Sequence, residues 1–133
     1  MPIRITVKGQ VTIPKRLREV LRLSPGDYVE LDVNSSGEIV VRKRGYDAFA
    51  GTFLDRALRA RNVTSLVVTG TMTDICVLAT VTAALHREYR VTLVEDGVAT
   101  LWPEIQRATL DIIRRAYARV LSAKEVADEL ARG

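Results

Sequence analysis

The rhythm of apolar positions changes along the chain. Residues 3–7 and 11–13 read as two short strands joined at Lys8-Gly9-Gln10, where glycine permits a tight turn. Pro14 suits the first turn of a helix, where its missing N–H costs nothing. Leu17, Val20 and Leu21 then recur at helical spacing, with Lys15, Arg16, Arg18 and Arg22 on the remaining surface. Ser24-Pro25-Gly26-Asp27 stops the helix in the Pro-then-Gly order of a type II turn. Val29, Leu31 and Val33 alternate with Glu30 and Asp32, which predicts a half-buried strand. Asn34-Ser35-Ser36-Gly37 turns the chain, and residues 38–43 return as a second strand.

Beyond residue 44 the texture differs. Helices are predicted over residues 52–61, 74–88, 103–117 and 123–130, with strands at 66–69, 91–94 and 119–121. Strands without polar alternation, separated by helices, indicate a parallel sheet covered on both faces. The sequence therefore predicts two units, residues 1–44 and 45–133, meeting at Arg44-Gly45-Tyr46. The first is too small to bury much surface alone. The second leaves the apolar strand at 66–69 with an open edge. Its cover would be residues 39–43 of the same chain or a second subunit, so a homo-oligomer is expected.

Composition narrows the setting. Of 133 residues 47% are apolar, enough for a core. No apolar run is long enough to span a bilayer and the N-terminus lacks a signal-peptide pattern, so no membrane association is expected. The single cysteine, Cys76, excludes an internal disulfide and suits a reducing cytoplasm. Residues 1–44 hold nine Lys/Arg and five Asp/Glu, a difference of +4 that equals the net charge of the whole chain. Such concentrated charge suits either a polyanionic partner or a solvated basic face.

Val7-Lys8-Gly9-Gln10-Val11-Thr12-Ile13-Pro14-Lys15 and Leu23-Ser24-Pro25-Gly26-Asp27 resemble the AbrB/SpoVT/MazE family over residues 1–44. The resemblance implies a swapped-hairpin β-barrel dimer that binds double-stranded DNA. Carried over by position, Arg4, Lys8, Lys15, Arg16 and Arg22 would contact the duplex, chiefly at phosphates. Arg18 and Arg42 have an alternative, pairing with Glu19 or Glu38.

Residues 43–52, the run Val67 through Val77 and residues 91–99 resemble the second half of an isochorismatase-like cysteine hydrolase. That resemblance implies Lys43 as the catalytic lysine and Cys76 as the nucleophile. Thr73 can cap a helix beginning at Asp74, which puts Cys76 in its first turn, where N–H groups favour a thiolate and can hold an oxyanion. The alternative is a small buried core residue between Ile75 and Val77. The family's aspartate and its usual metal ligands come from a half without counterpart here, so no metal or cofactor is expected. His86 reads as a satisfied surface group.

The sequence thus predicts an α+β chain, a swapped-hairpin barrel followed by a truncated three-layer α/β parallel-sheet domain. The function it favours is a cytoplasmic DNA-binding transcription regulator or antitoxin, with a toxin or small-molecule effector as further partner. In that reading the hydrolase-like domain is inactive, serves assembly or ligand sensing, and keeps Cys76 and Lys43 as vestiges. The competing reading is a small isochorismatase-like cysteine hydrolase using both residues.

Overall fold

The computed structural model describes residues 15–20, 22, 24–25, 32–33 and 38–133. In its first segment lie helix α1 (Lys15–Val20) and an antiparallel pair, β1 (Asp32–Val33) with β2 (Ile39–Val40). The strands expected at 3–7 and 11–13, with Arg4, Lys8 and the swapped hairpin, lie outside the described residues. Val20, expected on the apolar face of its helix, is 53% exposed.

The remaining elements follow as α2 (Leu54–Ala60), β3 (Ser65–Thr71), a π-helical turn (Thr73–Val77) running into α3 (Leu78–His86), and β4 (Arg90–Ala99). Then come α4 (Pro103–Ala116), β5 (Arg119–Leu121) and α5 (Ala123–Arg132). The three long-range strands lie parallel in the order β3–β4–β5, as unbroken apolar strands alternating with helices require. Val91, Leu93 and Val98 of β4 meet Val77, Val81, Ala84 and Ile113 in one core. Leu66 and Val68, in register with Val91 and Leu93, face the same side. Leu93 is fully enclosed, a burial that stabilises by about 1.5–3 kcal/mol.

Two boundaries differ from expectation. β4 continues through Glu95-Asp96-Gly97, which read as a loop. Pairing holds to Val68–Leu93 and resumes at Gly70–Val98, so the extra β4 residues form a bulge and the strand goes on beyond it. Gly97 makes this possible, because a Cβ there would sit 2.9 Å from Thr69 Cγ2. Of the two covers expected for the β3 edge, residues 39–43 do not serve among the described residues, because β2 pairs with β1. Among the described residues β3 pairs only with β4, and no described helix is long and apolar enough to cross a membrane.

Candidate active site at the end of β3

In parallel α/β sheets, functional groups gather at the carboxyl ends of the strands. Near that end β3 carries Gly70, whose φ of +134° suits only glycine, and it closes at Thr71 on a cis peptide to Met72. The chain then enters the wide π-helical turn. The Met72 carbonyl accepts from the N–H of both Ile75 (3.2 Å) and Val77 (3.1 Å), and the Thr73 carbonyl accepts from Leu78. Wide turns of this kind occur often at functional sites. Cys76 lies in this first turn, half-buried and without a disulfide partner.

Thr73 does not cap the turn. It is fully buried, its Oγ1 has no hydrogen-bond partner, and Met72 occupies the cap position without a side-chain bond. Asp74 is fixed instead from across the sheet edge, its Oδ1 accepting from Thr100 Oγ1 at 2.6 Å. Gln106 of α4 donates to the Val98 carbonyl at 3.1 Å, holding the end of β4 beside the turn. Sequence reading assigned no role to Asp74, Thr100 or Gln106. Their partners are distant in sequence, and a threonine after a strand gives no local signal of its partner.

Lys43 and Cys76 form no hydrogen bond. The exposed Lys43 Nζ donates to the Gly45 carbonyl at 2.9 Å. The loop that follows is tied to α3 by the Ala48 N–H, which donates to Thr80 Oγ1 at 3.1 Å, and its Phe49 is buried against Tyr89, just before β4. On α1, Lys15 pairs with Glu19 at 3.7 Å, the carboxylate that was one alternative partner for Arg18. Arg16 and Arg22 are exposed. Among the described residues no set of three His, Cys, Asp or Glu side chains could hold a metal, and His86 is exposed.

The isochorismatase domain family matches residues 27–125, about three quarters of the chain. The chain belongs to the isochorismatase family. Its sheet accords with this: an isochorismatase-like hydrolase from Alkaliphilus metalliredigens superposes with a TM-score of 0.68 at 29% identity, over 80% of this chain and 56% of that one. N-carbamoylsarcosine amidase from Thermoplasma acidophilum gives a TM-score of 0.60 at 40% identity, over 67% and 50% respectively. Ureidoacrylate amidohydrolase RutB from Methylobacterium radiotolerans is 38% identical over 110 residues, 80% of this chain and 43% of its own length. The chain spans about half the length of the curated relatives it matches. Residues 4–49 also match the family described as antidote-toxin recognition MazE, bacterial antitoxin, so the two matches overlap over residues 27–49.

These relatives overturn the reading as a DNA-binding regulator or antitoxin with an inactive second domain, because they are hydrolases and amidases. That reading leaned on the AbrB/SpoVT/MazE-like motif of residues 1–44, to which their basic balance added. Net charge governs what a surface attracts, whereas the chemistry of a chain lies in its site.

Proposed function

We propose that this isochorismatase-family chain is a small cysteine hydrolase that cleaves the amide C–N bond of a ureido or carbamoyl compound. The observation that carries the reading is the placement of Cys76 in the first turn of a helix, at the carboxyl end of a parallel strand. Two relatives named for amide cleavage, acting on ureidoacrylate and N-carbamoylsarcosine, support the substrate class.

In this reading Sγ of Cys76 attacks the carbonyl carbon. The S–C bond forms, and the oxygen takes negative charge facing the N–H groups at the helix start. The C–N bond then breaks, and the proton from the thiol leaves with the nitrogen as ammonia or amine. The group left on sulfur is an S-carbamoyl thiocarbamate; water adds to its carbonyl and releases the carbamic acid, restoring the thiol. Asp74, held by Thr100, is a positioning residue for the turn. Lys43 joins the site by exchanging its bond to the Gly45 carbonyl for the substrate.

The test is release of ammonia or amine from a panel of ureido acids, N-carbamoyl amino acids and simple carboxamides. Cys76→Ala should lower turnover by at least about a thousand-fold, as removal of a nucleophile does, and Lys43→Ala by less. Wild-type protein inactive on the whole panel, or activity surviving in Cys76→Ala, would refute the assignment.

A further inference from the structure

We infer that Thr80 is a positioning residue for Lys43: its hydroxyl clamps the loop that follows the lysine onto the stripe of helix that carries Cys76. The inference rests on the proposed hydrolysis and deepens it, because it names what brings the lysine within reach of the thiol.

Spacing places the clamp. Thr80 follows Cys76 by four residues, so the two share one stripe of the helix, which continues at Ala83 and Arg87. All four are half-buried, flanking the face through which Val77, Val81 and Ala84 enter the core.

The loop of residues 45–52 follows that stripe. The Ala48 N–H donates to Thr80 Oγ1 at 3.1 Å. One residue on, the Phe49 ring lies under the Arg87 guanidinium at 5.0 Å, and Arg87 itself reaches back to the Ala83 carbonyl at 3.0 Å. Loop and helix therefore run in the same sense here, and the chain before Ala48 leads back toward Cys76. From Thr80 to Cys76 is about 6 Å along the helix axis. The five residues from Ala48 back to Lys43 can span up to about 17 Å, so the lysine has chain enough to arrive.

The loop moves as a unit, which gives a single bond its influence. Asp47 Oδ1 accepts from the Phe49 N–H at 2.8 Å, and the Ala48 carbonyl accepts from Thr52 Oγ1 at 2.6 Å. Held only by the buried Phe49, such a unit would pivot on that ring. The bond to Thr80 stops the pivot and sets the angle at which the chain leaves toward Lys43. A small rotation there moves the distant ammonium by an ångström or more, and reacting geometries tolerate little of that.

Two measurements on the full chain test the clamp. A short amine-to-thiol crosslinker should join Lys43 to Cys76, as read by peptide mapping. Thr80→Val, which keeps the shape and removes the acceptor, should cut that yield several-fold, and Thr80→Ser should keep it. On a substrate that the wild type turns over, Thr80→Val should lower kcat/KM about ten- to a hundred-fold, and Thr80→Ser should stay near wild type. In a Lys43→Ala background the same change should cost nothing further, since both act through one ammonium group. Circular dichroism checks the fold, and Thr80→Ala takes the place of Thr80→Val should the latter not fold.

A wild-type chain without the Lys43–Cys76 product would overturn the inference. So would a folded Thr80→Val or Thr80→Ala protein with undiminished crosslinking, or a loss of rate that adds in full to that of Lys43→Ala. Loss of the fold in both variants would make Thr80 a structural residue and overturn it too. Crosslinking needs no turnover: a chain inactive on every substrate sinks the hydrolase reading, and the crosslink yields still decide whether Thr80 positions the lysine.

Discussion

Tyr89 shows how one side chain joins packing to electrostatics. It is 3% exposed, stacked on Phe49 with ring centroids 5.8 Å apart, and lies under the Arg59 guanidinium at 5.2 Å. Its hydroxyl donates to Asp55 Oδ1 at 2.7 Å. Burial first, then the hydrogen bond to Asp55 and that residue's charge, push its pKa from 10 to about 12. An acid whose folded pKa is raised is neutral in both states below pH 10. Between pH 10 and 12 the unfolded chain ionises while the folded one resists, so stability is lost as pH rises through that window. Wild-type protein should therefore lose more melting temperature from pH 10 to 12 than Tyr89→Phe, and parallel losses would contradict this. The residue scale also marks what was legible at the site. The first-turn position of Cys76 followed from a strand, a glycine and a helix start in sequence. The burial of Thr73 and the bond to Asp74 from Thr100, 26 residues on, did not, because neither leaves a local sequence signal.

Among elements, the helices and core strands of residues 45–133 were legible because each buried strand is a continuous apolar run bounded by turn residues. The extension of β4 past its bulge was not, since Glu95 and Asp96 look like loop residues until β3 pairs beyond them. α5 offers a local case that can be measured. Its capping box is complete, with Ser122 Oγ accepting from the Glu125 N–H at 3.2 Å and Glu125 Oε2 accepting from the Ser122 N–H at 2.7 Å. That backbone bond is the chief reason the Glu125 carboxyl is held below its ordinary pKa. Ser122→Ala should cost about 0.5–2 kcal/mol in urea denaturation, while Lys124→Ala, an exposed neighbour, should cost much less. Equal effects would show that the cap contributes nothing specific.

At the scale of the whole molecule, three parallel strands carry a thiol at the site end of β3. Family membership rests on residues 27–125, whereas the AbrB/SpoVT/MazE-like motif of the basic first segment pulled the functional reading toward DNA. That motif fills a run of some twenty residues and the nucleophile is a single one, so the longer signal was the less informative for chemistry. The central claim is that Cys76 forms a covalent acyl intermediate. Protein quenched in acid during turnover of a ureido or N-carbamoyl substrate should gain the mass of one acyl group. Peptide mapping should place it on the fragment containing Cys76, and hydroxylamine should remove it. Product accumulating with no adduct on Cys76, or with the adduct on another residue, would contradict the account.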